Sequence, residues 1–215
     1  MKYFWHFVIS IGVLALIMFA FFGASLPFGN HITYTDQPVV TEPSITFIDP
    51  VIGSATAKAT VVVYGDYGCD SCATLDATLV NLLADDYPND LRIVWKDMPN
   101  TSQHPEALNA AIAARCAGDQ GKFWEYNAQL LINQASLGAE LYNTIAIQLG
   151  LKSSTFASCL SQQTPAPLVQ QTYEEGLALG VSATPTIFIN GTRYTGAVDK
   201  GTLKTIIRQI VVSKT

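Results

Sequence analysis

Cys69 and Cys72 stand directly between a β-branched run and an amphipathic repeat, and that junction restricts the fold more than any other feature of the chain. Thr60–Tyr64 (TVVVY) reads as a buried strand, because β-branched and aromatic side chains fit a packed, pleated surface. After Gly65-Asp66-Tyr67-Gly68, the residues Cys72, Leu75, Leu79, Leu82 and Leu83 recur at helical spacing and so share one face. Leu91–Trp95 (LRIVW) is a second strand. Strand, helix and strand in this order form a βαβ unit with parallel strands, which predicts an α/β domain.

Between Pro99 and Pro165 the pattern turns helical. Pro105–Ala117 (with Leu108, Ile112 and Cys116 on one face), Phe123–Ile132, Ala139–Leu149 and Ser154–Leu160 predict a helical insert over about residues 100–165. Phe123, Trp124 and Tyr126 fit a peptide-binding surface and core packing equally well, with two of the three expected in the core. Ala166–Leu179 is a helix stopped by Gly180. Thr186–Ile189 and Thr192–Thr195 then flank Asn190-Gly191, a hairpin dipeptide whose residues tolerate positive φ. A last helix covers Leu203–Val212.

The N-terminus carries a different message. Tyr3–Phe22 holds no Lys, Arg, Asp or Glu, and roughly 20 such residues span a hydrocarbon core as a helix. Lys2 precedes it and the next basic residue is Lys58, so the remainder is expected outside the cytoplasm. Gly23-Ala24-Ser25 could serve for cleavage, so residues 1–28 are either a retained transmembrane signal anchor or a removed signal, with the anchor favoured by length. Residues 29–44, rich in Pro, Thr and Gly, read as a linker, and the domain proper as 45–213, opening on an edge strand at Ile45–Ile48. Past residue 28 there are 11 basic and 17 acidic residues with no basic cluster, which argues against nucleic acid as a partner.

Export matters for the four cysteines, since disulfides persist outside the cytoplasm. Placed just ahead of a helix, the Cys69 sulfur can face solvent and the free N–H groups of the first turn, which stabilise the thiolate that attacks disulfides. Cys72 falls on the apolar face and should be buried, acting second to resolve a mixed disulfide. A zinc site would have to recruit Cys116 and Cys159, neither in a paired ligand motif, and His6, His31 and His104 form no cluster. A purely structural Cys69–Cys72 bridge would constrain little of the unfolded chain. The chemistry is the dithiol itself and calls for no cofactor.

GDYGCDSC after a strand, with Ala183-Thr184-Pro185-Thr186 before another strand far downstream, resembles the DsbA-like branch of the thioredoxin superfamily. So do Lys96–Pro99 (KDMP), the His104-Pro105 helix start and Ala114–Asn127 (ARCAGDQGKFWEYN). The resemblance runs from about Ile45 to Val212 and implies a thioredoxin fold with an inserted helical subdomain. It implies that Pro185 is a cis proline beside the redox pair and that Thr184 offers its backbone to an extended substrate peptide. It further implies exchange with exported polypeptides and recycling by a membrane partner, either a quinone-linked oxidase or a transmembrane electron donor. The chain departs from the family in two ways. Asp70-Ser71 stands between the cysteines, where strongly oxidising members usually carry proline or histidine. A carboxylate there should raise the Cys69 pKa and weaken the oxidant, keeping a reductase or isomerase open as the alternative, beside a non-catalytic peptide-binding module. And Val63 occupies the position at which thioredoxins carry a buried acid.

That leaves Asp66 and Lys96 as the nearest charges. Asp66 either helps Cys72 lose its proton or shapes the turn, Lys96 is expected to be structural, and His104 is expected to serve as a helix-entry residue. Cys116 and Cys159 should both point into the core of the insert. Several family members carry a bridge there, so a structural Cys116–Cys159 disulfide is expected, with two separate buried thiols as the other reading.

Overall fold

The computed structural model describes residues 41–213; the expected anchor, most of the linker, His6 and His31 lie outside the described residues. Among the described residues no helix is long and apolar enough to cross a membrane. Five strands, β1 (Val51–Gly53), β2 (Ala59–Gly65), β3 (Leu91–Asp97), β4 (Thr186–Ile189) and β5 (Thr192–Thr195), form one sheet in the order β1-β3-β2-β4-β5. β2 and β3 run parallel, with Val61 opposite Ile93 and Val63 opposite Trp95; every other pair is antiparallel. Their crossover is helix α1 (Asp70–Asn81), continued by a π-type turn at Leu82–Asp86.

The helical insert follows β3 as α2 (Ala107–Gly118), α3 (Phe123–Ile132), a 3₁₀ turn at Gln134–Ser136, α4 (Ala139–Gln148) and α5 (Ser153–Gln162). Helix α6 (Ala166–Ala178), the β4–β5 hairpin and α7 (Lys200–Ser213) complete the chain. The hairpin turn is Asn190-Gly191, with φ of 46° and 85°, as a tight two-residue reversal requires.

Alternation along the central strands builds two cores. Val61, Val63, Ile93, Trp95 and Ile187 join Leu75 and Leu79 of α1 and the interior of the insert in the larger one. Val62, Tyr64, Val94 and Phe188 point the other way and pack with Met98, Leu179 and Val181 in the smaller. Leu79 is fully buried, and burying such a leucine stabilises the fold by about 1.5–3 kcal/mol. In α2 the alanines at 107, 110, 111, 113, 114 and 117 are all buried, so this helix is enclosed nearly all round. Leu108, expected on its inward face, is instead 36 % exposed. Phe123 and Tyr126 are core residues, and Trp124 packs against the core from its margin.

The edge strand lies five or six residues later than expected. Ile45–Ile48 is a turn: the Asp49 carboxylate accepts hydrogen bonds from the Thr46 N–H and hydroxyl, and the Asp49 N–H returns to the Thr46 carbonyl. A side chain that captures the local backbone in this way competes with strand pairing. Pairing begins at Val51, opposite Val94.

Two buried cations hold this entry segment to the domain. Lys96 lies 2.9 Å from both Asp49 and Glu175, and Glu175 also accepts from Ser44 and Tyr64. Arg115 bonds Asp97 at 2.6 Å and donates to the Ile48 carbonyl at 2.9 Å. Lys96 and Asp97, successive on β3, face opposite sides of the sheet and so serve α6 and α2 respectively.

Candidate active site

Cys69 is the N-cap of α1, with extended φ and ψ of −97° and 111°. The first turn of a helix has N–H groups without partners, and a cap side chain turns back to accept from them. Here the acceptor is sulfur: the Cys72 N–H donates to Cys69 Sγ at 3.2 Å. Ser71 Oγ lies 3.3 Å from the same sulfur and the Thr184 carbonyl oxygen 3.5 Å from it. The side chain of Gln134, in the 3₁₀ turn of the insert, donates to the Cys69 carbonyl at 2.9 Å. Cys69 is only 8 % exposed, so its sulfur is more enclosed than the sequence suggested, because Thr184 lies against it. Cys72 is fully buried.

This geometry separates the two thiols. Hydrogen bonding with the Cys72 side chain, then with the Ser71 and Thr184 side chains and the Cys72 backbone N–H, outweighs burial and lowers the Cys69 pKa to about 5. The same contact with Cys69, together with burial, pushes Cys72 far up. The expectation that Asp70 raises the Cys69 pKa is therefore corrected. Asp70 is exposed in the first turn of α1, where water screens its charge, whereas the donors touch the sulfur itself.

The Thr184–Pro185 peptide bond is cis. The loop around it is tied by the Thr186 hydroxyl to the Ala183 carbonyl and by the Gly196 N–H to the Pro185 carbonyl, both at 2.8 Å. Beside Thr184 opens a groove of about 330 Å³, lined by Met98, Asn100, Tyr173, Leu177 and Ser182.

Asp66, three residues before Cys69, is 1 % exposed with both oxygens engaged. One accepts from the Gly68 N–H at 2.7 Å; the other accepts from the Asn100 N–H at 2.7 Å and lies 3.0 Å from His104 Nδ1. Three contacts on one carboxylate favour the turn-shaping role. His104 does more than begin a helix: its ring lies over Gly68, where a Cβ would stand 2.4 Å from Cγ of the imidazole. Only glycine admits that approach. The histidine is 38 residues from Asp66 along the chain, and a His-Pro pair carries no local sign of such a contact.

A second set of residues escaped the sequence reading. Asp76 is 6 % exposed, on the same face of α1 as Cys72, Leu75 and Leu79. Asn127 of α3 donates to it at 3.2 Å and accepts from the Tyr67 hydroxyl at 2.9 Å. Burial raises the Asp76 pKa to about 6, against the lowering effect of Asn127. The available signal was its position four residues after Cys72, on a face otherwise apolar.

Cys116 and Cys159 form a disulfide between α2 and α5, with Cα atoms 5.9 Å apart, while Cys69 and Cys72 are free thiols. Cys116 is buried, but Cys159 is only partly so, because α5 packs as an outer helix of the insert. Among the described residues no group of three His, Cys, Asp or Glu side chains is placed to hold a metal ion.

The thioredoxin family profile matches residues 46–209. Among curated relatives, a protein named Na(+)/H(+) antiporter NhaA 1 from Salinispora arenicola is 38 % identical over 149 residues, covering 69 % of this chain and 22 % of its own length. The NhaA of Herminiimonas arsenicoxydans is 31 % identical over 206 residues, covering 92 % and 32 %. The chain thus spans only about a fifth to a third of the length of these relatives. Among solved structures, oxidised BdbD from Bacillus subtilis superposes with a TM-score of 0.69 at 24 % identity, over 79 % of this chain and 95 % of that one. Alpha-DsbA1 from Wolbachia pipientis superposes with a TM-score of 0.69 at 17 % identity, over 80 % and 96 %. The thiol-disulfide exchange protein alpha-DsbA2 of the same organism gives 0.66 at 20 % identity, over 76 % and 88 %. These likenesses include the helical insert as well as the sheet. The chain belongs to the thioredoxin family, and its fold is similar to that of the BdbD and DsbA structures.

Proposed function

We propose that the protein exchanges disulfides with exported polypeptides through Cys69 and Cys72, and that it works as a disulfide donor. The observation that carries this reading is the cap geometry, in which Cys69 Sγ accepts the Cys72 N–H at the head of α1. In the oxidised enzyme a substrate thiolate attacks the Cys69 sulfur. The Cys69–Cys72 bond breaks, a mixed disulfide forms on Cys69, and Cys72 leaves with the electron pair. A second substrate thiolate attacks its own sulfur in the mixed disulfide, and Cys69 departs as a stabilised thiolate. A good leaving thiolate favours the reduced enzyme and so makes the disulfide a stronger oxidant.

Thr184 and the cis Pro185 are proposed to hold the substrate strand by backbone pairing, with the adjoining groove receiving the residues beside its cysteine. Residues 1–28 are proposed to tether the domain on the outer side of the membrane. Sequence likeness to one segment of proteins named as antiporters supports a place at a membrane, but no antiport activity is carried over from it. Recycling by a membrane redox partner follows from the same reading.

The test is the equilibrium reduction potential of the Cys69–Cys72 couple in graded glutathione buffers. A value at or above about −180 mV supports the donor, and one near about −270 mV makes it a reductase instead. Absence of any reversible couple removes the exchange reading altogether.

A further inference from the structure

The helical insert reaches the cap of α1 through Gln134. This residue opens the 3₁₀ turn that follows α3, and its Nε2 donates to the Cys69 carbonyl at 2.9 Å. Its backbone is fixed from both sides. Asn133 folds back on the Gln129 carbonyl with its side-chain and backbone N–H groups, and the N–H of Leu137, which packs against the core, bonds the Gln134 carbonyl. A half-buried side chain on so fixed a backbone has little freedom left to lose, so the aim of its amide is built into the turn.

The carbonyl it meets is crowded. It also accepts from the Cys72 N–H at 2.9 Å and from the Ala73 N–H at 3.3 Å. A carbonyl oxygen has two lone pairs. With Gln134 on one, the two helix N–H groups share the other. The Cys72 N–H is itself divided, because Cys69 Sγ lies 3.2 Å from the same nitrogen. Anything that weakens its bond to oxygen leaves more of it for sulfur.

From these contacts we infer that Gln134 is a positioning residue for the Cys69 thiolate: by occupying the Cys69 carbonyl, it turns the Cys72 N–H toward the sulfur. The effect falls on the reduced form, since a thiolate draws a shared N–H far more strongly than a disulfide sulfur does. Its consequence for catalysis rests on the exchange reading above. A thiolate stabilised only in the reduced enzyme makes the disulfide a better donor.

The other groups around Cys69 leave this arrangement undisturbed. The turn that carries Gln134 (Gln134–Ser136) and the Thr184 loop over residues 182–186 hold no ionisable side chain. On the α1 side Asp70 is exposed, and Cys72 keeps its proton because its pKa is pushed far up. Asp66 is committed to the Gly68 and Asn100 N–H groups and to His104.

The test uses the full chain, reduced at Cys69 and Cys72 and solubilised in detergent with Cys116–Cys159 left oxidised. Thiolate absorbance near 240 nm follows the Cys69 titration, and graded glutathione buffers report the exchange equilibrium. Q134M keeps the length of the side chain and loses the donor. It should raise the Cys69 midpoint by about half to one pH unit from its wild-type position near 5. The equilibrium should move about three- to tenfold toward the disulfide form, a shift of up to about 30 mV. Ser136→Ala, at an exposed position of the same turn, should move neither. A folded Q134M with the wild-type midpoint and equilibrium overturns the inference. So does an equal shift from Ser136→Ala, which would trace the change to the turn as a whole. The wild type supplies a check that needs no variant to fold. With the glutamine side chains labelled with ¹⁵N, one amide should shift along the Cys69 titration, and a spectrum in which none does overturns the inference. If glutathione reveals no reversible couple while the midpoint and amide shifts stand, the exchange reading falls alone and the action of Gln134 on the sulfur survives it.

Discussion

The two cysteine pairs differ by what surrounds each sulfur, more than by how deeply it is buried. Cys69 is 8 % exposed and Cys116 1 %, yet the first is a free thiol with its pKa lowered to about 5 and the second is spent in a bridge. Cys69 stands at the head of a helix, where the Cys72 N–H reaches both its carbonyl oxygen and its sulfur, and Thr184 and Ser71 complete its shell. Cys116 lies inside α2 among alanines, and its one partner is Cys159, 43 residues further along the chain. Reactivity comes from polar donors aimed at the sulfur; permanence comes from packing and the length of loop closed.

Removing each pair in turn should break that contrast most visibly. Cys69→Ser is expected to lower thiol–disulfide turnover by about a thousandfold or more, since the attacking sulfur is gone, with little change in melting temperature. In the double variant Cys116→Ala/Cys159→Ala, turnover should stay within about twofold. Its stability should fall by about 3–4 kcal/mol, the chain-entropy value for a 43-residue loop. Insulin reduction and denaturant unfolding measure the two effects side by side. Loss of turnover in a folded double variant would mean that the insert's bridge serves the site, for example through Gln134 and its bond to the Cys69 carbonyl.

A smaller effect sharpens the same comparison by asking what the helix headed by Cys69 gives up in stability. Asp76 has its pKa raised from the ordinary carboxylate range to about 6, so the folded state binds more protons than the unfolded chain between about pH 4 and 6. Stability should therefore fall as pH rises through that window, and the burden is complete above about pH 6. Asp76→Asn is expected to stabilise the protein at pH 7 by about 1–3 kcal/mol and to have no effect below about pH 4. Equal stabilisation at both pH values, read from urea midpoints, would show that the carboxylate is not the source.

How much of this could be read from the sequence depended on distance along the chain. The strands at 59–65 and 91–97, the helix after Cys69 and the Asn190-Gly191 hairpin are set by local periodicity and turn chemistry, and their expected places differ from the observed ones by a residue or two. β1 was misplaced because three residues carry no period, and its position depends on pairing with Val94 and on the Asp49 turn. The contact of His104 with Gly68 and the bond from Gln134 to Cys69 join residues far apart in sequence, and neither leaves a local trace. Asp76 is a subtler case. A single acid on a helix usually marks a solvated side, and here the packing of α3 against α1 covers it.

The smallest expected effect concerns Asp70. Adjacency in sequence made Asp70 look like the charge that governs Cys69, but adjacent residues on a helix do not face one another. Asp70 is exposed, so its field reaches the sulfur largely through water, where two unit charges even 4 Å apart interact by only about 1 kcal/mol and salt weakens this further. The hydrogen bonds from Cys72 and Ser71 act at contact distance and without such screening. Asp70→Asn should therefore move the Cys69 titration, followed by thiolate absorbance near 240 nm, by less than about half a pH unit from its wild-type position near 5. Raising the salt concentration should shrink even that. If the wild-type thiol titrated near 9 instead, and Asp70→Asn brought it down by two pH units or more, the neighbouring carboxylate would outrank the cap. The distinction drawn between the two cysteine pairs would then rest on charge and no longer on donors.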